Sequence, residues 1–215
     1  MTAASVRVKI CGLTGPQDMA AAAQAGAAYA GLNFFPRSPR FVDIEQAREI
    51  ALAAPVGLAN VGLFVDAPDA QIDAVLARVP LDMLQLHGSE TPARMDALRA
   101  RHGLPLIKAV GVAGADDLPK LAGYGRHADM LLVDAKPPKD AVLPGGNGLT
   151  FDWRLIAGRR WPVPWMLAGG LTPENVAQAI ALTGATQVDV SSGVESAPGV
   201  KDPQKIAAFL SAAQS

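Results

Sequence analysis

Eight times along the chain a short run of β-branched and large apolar residues gives way to a longer Ala- and Leu-rich stretch of helical spacing, always in that order. The runs 6–10, 29–34, 57–64, 82–86, 104–109, 128–133, 163–167 and 186–190 have the character of strands. The stretches 16–25, 43–53, 69–78, 90–101, 115–123, 151–158, 173–182 and 202–213 have that of the helices that follow them. Spread over 215 residues, eight such units leave about 27 residues each, close to the minimum for a strand, a crossover helix and two short connections. Strict strand-helix alternation demands parallel strands, and eight of them predict an α/β fold: one (β/α)8 TIM barrel over residues 1–215. An open doubly wound sheet is made of the same units, but a dinucleotide-binding member would carry G-x-G-x-x-G after its first strand. Here Ile10-Cys11-Gly12-Leu13-Thr14-Gly15 puts a cysteine at that turn. An internal echo between Gly12-Leu13-Thr14-Gly15-Pro16-Gln17 and Gly170-Leu171-Thr172-Pro173-Glu174-Asn175 favours repeated units, although Gly, Thr and Pro are also simply what strand-to-helix turns need.

Composition narrows the partners. A hydrophobic content of 50% suffices for one core, and 19 basic against 20 acidic side chains leave a net charge of -1. That balance lacks the basic excess that drives nucleic-acid binding. One cysteine forms no internal disulfide, apolar runs stop short of membrane-spanning length, and Met1-Thr2-Ala3-Ala4-Ser5-Val6-Arg7 lacks the apolar core of a signal peptide. The expectation is a cytoplasmic protein with no nucleic-acid and no membrane partner. The sequence is equally compatible with a monomer and a homodimer.

Strand parity locates the chemistry. Alternate residues of a barrel strand face the axis and the helices in turn. In the first strand Val6, Val8 and Ile10 form the apolar set, which sends Arg7, Lys9 and Cys11 to the axis. In the fourth, Gln85 and His87 share a face with Met83. Lys108 ends the fifth in phase with Leu106, Asp134 follows the sixth in phase with Met130 and Leu132, and Asp189 lies in the eighth with Gln187 and Ser191. Any one of these is compatible with a satisfied core polar group. Together, Lys9, Lys108, Asp134 and Asp189 predict a wet or ligand-filled mouth at the C-terminal strand ends, where barrel enzymes keep their chemistry.

Two glycine-rich stretches follow the seventh and eighth strands, where this architecture places phosphate sites. Gly169, Gly170 and Gly193 allow the main chain close to an anion, Ser191 and Ser192 add hydroxyl donors, and a short helix after the eighth strand would direct its dipole to the same point. Ordinary turns use the same residues. Pro144-Gly145-Gly146-Asn147-Gly148 after the sixth strand is either a cover for the ligand or a plain surface turn.

Cys11 has the character of a base or nucleophile at the mouth, with Lys9 two residues earlier to favour its thiolate, or of a packing cysteine. Asp134 is the complementary acid, or the partner of Lys136. Strands one and six lie three steps apart round the ring, so these two side chains can flank a sugar-sized ligand.

Seven segments together resemble phosphoribosylanthranilate isomerases: Lys9-Ile10-Cys11-Gly12-Leu13-Thr14, Phe34-Phe35-Pro36-Arg37-Ser38-Pro39-Arg40, Gln85-Leu86-His87-Gly88, Leu132-Val133-Asp134, Phe151-Asp152-Trp153, Ala168-Gly169-Gly170-Leu171 and Asp189-Val190-Ser191-Ser192-Gly193-Val194-Glu195. Asn147 departs from the pattern, standing where the family usually has Thr or Ser. The resemblance implies a barrel of the ribulose-phosphate-binding type and an Amadori rearrangement of N-(5′-phosphoribosyl)anthranilate in tryptophan biosynthesis, with no cofactor or metal. It implies Cys11 as general base, Asp134 as general acid and Arg40 as ligand of the anthranilate carboxylate. Lys9, His87 and Asp189 are then further substrate-binding residues, and Gly146, Gly148, Gly169, Gly170, Ser191, Ser192 and Gly193 phosphate-binding ones. Of the rivals, indoleglycerol phosphate synthases resemble longer chains with a lysine and glutamate pair, and ProFAR isomerases carry aspartate at the position of Cys11. A non-catalytic phosphate binder leaves the acid and base unexplained, and a cysteine hydrolase has only His87 to draw on.

Overall fold

In the computed structural model, which describes residues 5–136, 145–146 and 148–215, eight parallel strands close into a barrel in sequential order. They are β1 (Arg7–Cys11), β2 (Tyr29–Asn33), β3 (Ala59–Phe64), β4 (Met83–Leu86), β5 (Leu106–Val112), β6 (Met130–Ala135), β7 (Trp165–Leu167) and β8 (Gln187–Val190). The outer layer comprises α1 (Pro16–Ala25), α2 (Ile44–Leu52), α3 (Asp69–Leu76), α4 (Pro92–His102), α5 (Leu118–Tyr124), α6 (Val176–Thr183) and α7 (Pro203–Ala213). Helix starts follow the local chemistry: Asp43, Thr91 and Asp202 cap α2, α4 and α7 with side-chain acceptors, and α1, α4, α5 and α7 carry proline in their first turn. Among the described residues no helix is long and apolar enough to cross a membrane.

The expected helix at 151–158 is only a single 3-10 turn, Trp153–Leu155. Asp152 caps the backbone of Arg154, and Gly158 adopts a left-handed φ of 64°. Five residues between those signals cannot complete a helix that would stand alone, and Pro162 and Pro164 then lead into β7. An unforeseen hairpin, β9 (Glu195–Ala197) with β10 (Val200–Lys201), intervenes between β8 and α7.

The alternation divides the apolar residues into two cores. Tyr29, Val61, Ile107, Met130, Leu132 and Met166 fill the barrel interior. Val8, Ile10, Leu84, Leu131, Val133, Phe209 and their neighbours fill the layer between barrel and helices. At the N-terminal end the Tyr29 hydroxyl donates to Gln187 Oε1 at 2.7 Å and the Arg7 guanidinium stacks 4.5 Å from the Tyr29 ring, which closes the barrel floor.

Parity placed Lys9, Cys11, Gln85, Asp134 and Asp189 correctly, but not Lys108. Ile107 and Ala109 are the inward residues of β5, so Lys108 shares the helix side with Leu106. It is fully buried there because its ammonium donates to Glu90 at 2.7 Å, to the Gly88 carbonyl at 2.6 Å and to the Leu86 carbonyl at 3.3 Å. These bonds bracket His87 and pin the end of β4.

Phe209 is wholly buried where α7 meets the barrel. Phe209→Ala is expected to cost about 3–5 kcal/mol, read as a lower urea midpoint with an unchanged slope.

Candidate active site

At the C-terminal ends of the strands the side chains that left the apolar pattern surround one cavity, open to solvent. Cys11 and Asp189 enter it from β1 and β8, His87 and Asp134 from β4 and β6, and Arg40 from the loop after β2. Gly146, Gly148, Gly169 and Gly170 line another stretch of its wall, with Ser191 and Ser192 beside them. Two expected residues stay outside. Lys9 is sealed beneath the cavity, and Gly193 packs where a Cβ would fall 1.9 Å from the Leu171 carbonyl, so close packing alone requires glycine there. The expected short helix after β8 is one 3-10 turn, Ser192–Val194. Asn147 lies outside the described residues.

Lys9 and Asp189 are paired by strand register, and the ammonium meets the carboxylate at 2.8 Å. Gly31, in register with Cys11, leaves the space the pair needs: a Cβ there would fall 2.8 Å from the Cys11 sulfur and 3.2 Å from the Lys9 nitrogen. Burial pulls the Lys9 ammonium down, but the charge of Asp189, aided by Cys11, outweighs it and holds the ammonium above the ordinary lysine range. Burial pushes the Cys11 thiol up, and Lys9 pulls it down without cancelling the rise.

Across the mouth, His87 Nε2 lies 3.3 Å from Asp134 Oδ2, and the backbone N–H of Ala135 donates to Asp134 Oδ1 at 2.8 Å. Gln85 Nε2 reaches His87 Nδ1 at 3.0 Å from below. A Cβ on Gly145 would fall 2.7 Å from His87 Nε2 and 2.9 Å from Asp134 Oδ2, so the main chain lies directly over this contact.

Arg40 is buried, with Nε and one terminal nitrogen on the two oxygens of Glu195 at 2.8 and 2.9 Å. This fork fixes the guanidinium. Lys201 reaches the same carboxylate at 2.7 Å, so two cations share one anion and the cluster keeps a net positive charge beside the cavity. Burial raises the Glu195 carboxyl, but Arg40 and Lys201 together hold it below the ordinary range. Burial also lowers Lys201, which Glu195 only partly offsets. Asn33 donates to Ser38 Oγ at 3.0 Å, and that oxygen accepts the Arg40 backbone N–H at 3.1 Å, shaping the loop that presents Arg40. Glu195 appeared in the sequence only within a longer motif, and Lys201 and Ser38 gave no periodic signal. Asn33 did have one: a polar residue in phase with Tyr29 at the end of β2.

A closed eight-stranded barrel with an acid, a thiol and a net positive cluster around one mouth has the equipment of a barrel enzyme for an anionic substrate. The family model described as N-(5′-phosphoribosyl)anthranilate (PRA) isomerase matches residues 8–212. The chain is 64% identical over 211 residues to an N-(5′-phosphoribosyl)anthranilate isomerase of Cereibacter sphaeroides, covering 98% of this chain and 100% of that one. Among solved structures, phosphoribosyl anthranilate isomerase from Thermotoga maritima superposes with a TM-score of 0.87 at 38% identity, covering 97% of this chain and 98% of that one. A phosphoribosyl anthranilate isomerase in complex with reduced 1-(o-carboxyphenylamino)-1-deoxyribulose 5-phosphate superposes with a TM-score of 0.84 at 36% identity, with the same coverage of both chains. The chain belongs to the phosphoribosylanthranilate isomerase family, and is an isomerase.

Because burial raises the Cys11 thiol and Lys9 opposes it, alkylation of this sole cysteine by iodoacetamide should be slow near neutral pH and accelerate into the alkaline range. Lys9→Met/Asp189→Asn, which removes the pair without stranding a buried charge, should slow alkylation further at a given pH. A faster rate in the double variant would show that Lys9 does not favour the thiolate.

Proposed function

We propose that this isomerase converts N-(5′-phosphoribosyl)anthranilate into 1-(2-carboxyphenylamino)-1-deoxyribulose 5-phosphate in tryptophan biosynthesis, and does so in the cytoplasm, where a lone thiol is kept reduced. The observation that carries the reading is the presence of Cys11 and Asp134 on the wall of one cavity in a chain of this family.

Asp134, protonated, gives its proton to the furanose ring oxygen. The C1–O bond breaks as the anilino nitrogen lone pair forms the C1=N bond, leaving an open-chain iminium. The iminium acidifies the C2 proton, which Cys11 removes, and the C–H electrons form the C1=C2 bond of an enolamine. The C2 hydroxyl then loses its proton as C1 gains one, giving the ketone. A thiolate whose buried thiol lies above the ordinary range is a strong base once formed, and Lys9 beneath it is the cation that favours its formation.

Arg40, already fixed by Glu195, offers its remaining terminal N–H groups to the anthranilate carboxylate. The net positive charge of the Arg40, Glu195 and Lys201 cluster suits an anion better than a neutral ring. The phosphate sits on the backbone of Gly146, Gly148, Gly169 and Gly170 with the Ser191 and Ser192 hydroxyls, while Gly193 shapes that turn. His87 and Asp189 contact the sugar from the cavity wall, and Lys9 acts on it through Asp189 and Cys11.

Loss of phosphoribosylanthranilate fluorescence, with the substrate generated in situ from anthranilate, tests the activity. No turnover would reopen the choice among phosphosugar barrels. Cys11→Ala and Asp134→Asn should each lower kcat by about 10²- to 10⁴-fold with the fold intact, and near-normal turnover in either would remove that residue from its role. Arg40→Ala should mainly raise KM. An unchanged KM would point to another carboxylate anchor.

A further inference from the structure

Gln85 is completely buried in the barrel beneath the mouth, and among the described residues it makes one side-chain hydrogen bond, from Nε2 to His87 Nδ1 at 3.0 Å. Its Oε1 is buried with no hydrogen-bond partner among the described residues. A buried carboxamide that leaves its acceptor unmatched costs stability, so its presence between the apolar register neighbours Leu63 and Ile107 calls for a compensating role.

The donor and acceptor inventory defines that role. An amide nitrogen only donates, so the His87 Nδ1 it meets must be an acceptor, and in a neutral ring the proton is then on Nε2. That N–H faces Asp134 Oδ2 at 3.3 Å, while Oδ1 accepts from the Ala135 backbone at 2.8 Å. Oδ1 of Asp134 therefore has a hydrogen-bond donor and Oδ2 has the His87 ring nitrogen in close contact, an arrangement suited to the carboxylate that forms when this residue gives up its proton. Lys108 and Glu90 keep the ring in place from the far side, since the Lys108 ammonium holds the carbonyls on either side of His87 and Glu90 accepts the Gly88 N–H at 3.0 Å.

We propose that Gln85 is a positioning residue for the acid step: its carboxamide fixes the His87 tautomer and ring orientation, and so keeps an N–H on Asp134 as the carboxylate develops. This rests on Asp134 being the general acid. Gln85 lies on the cavity wall beneath His87, and its hydrogen bond goes to the ring rather than to Asp134.

Gln85→Glu keeps the shape and reverses the polarity, because a carboxylate accepts from Nδ1 and draws a proton onto it. Gln85→Leu removes the bond altogether. The chain has three histidines, so ring ¹⁵N spectra are simple, and the His87 signals are assigned by their loss in His87→Asn. The native protein should show His87 with its proton on Nε2, and Gln85→Glu should move it to an Nδ1-protonated or doubly protonated ring. In the isomerase assay both variants should lower kcat by about 10- to 100-fold, the range for losing one hydrogen bond to a charged group, with KM within about 2-fold of native. Thermal melts identify a variant that has not folded, and Gln85→Asn and Gln85→Met are the replacements in that event. An unchanged His87 tautomer in Gln85→Glu, or a changed tautomer with native kcat, would overturn the proposal. Asp134→Asn, assayed in parallel, separates the two levels: its inactivity beside a fully active Gln85→Glu defeats the positioning role alone, whereas its near-normal turnover defeats the acid assignment and the positioning role with it.

Discussion

A lysine sealed inside a barrel has to meet a carboxylate, and here the first and last strands provide the two partners. Lys9 on β1 and Asp189 on β8 stand opposite each other in register across the seam at which the barrel closes, and their 2.8 Å contact offsets the cost of burying both charges. Cys11 lies directly above, so one ion pair serves the seam and the electrostatics of the thiol. The Asp189 carboxylate also reaches the cavity wall while Lys9 does not, leaving the pair with one end in the interior and one in the mouth.

The rest of the mouth is organised by the same rule that a buried charge needs a partner. Asp134 has His87 and the Ala135 N–H, Arg40 has Glu195, and Lys201 shares Glu195. Away from the cavity, Lys108 and Glu90 satisfy one another and brace the turn that carries His87. The His87–Asp134 and Arg40–Glu195 pairs join elements far apart in the chain, so these side chains take their positions from contacts that exist only once the barrel is complete.

Much of this was legible in the sequence, for a definite reason. Strand parity is a local property, so Cys11, Asp134 and Asp189 declared their direction by where Ile10, Val133 and Val190 had to go. The same rule misplaced Lys108, because Leu106, Ile107, Ala109 and Val110 are apolar on both faces of β5 and give no parity to read. The helix expected at 151–158 failed because a favourable composition does not lengthen a segment that is bounded by a cap and a left-handed glycine. Partnerships were the least legible of all. That Glu195 would hold Arg40, 155 residues away, follows from the β9 and β10 hairpin, whose short strands resemble an ordinary connection in sequence.

That hairpin ties the mouth to the end of the chain. Glu195 and Lys201 sit on it, Lys205 in the first turn of α7 donates to the Glu195 carbonyl at 2.7 Å, and α7 packs against α1 and β1. As a chain emerges from the ribosome, Arg40 is synthesised well before the hairpin whose Glu195 fixes its orientation. The part of the mouth that Arg40 forms therefore takes its final shape only once the hairpin and α7 are in place.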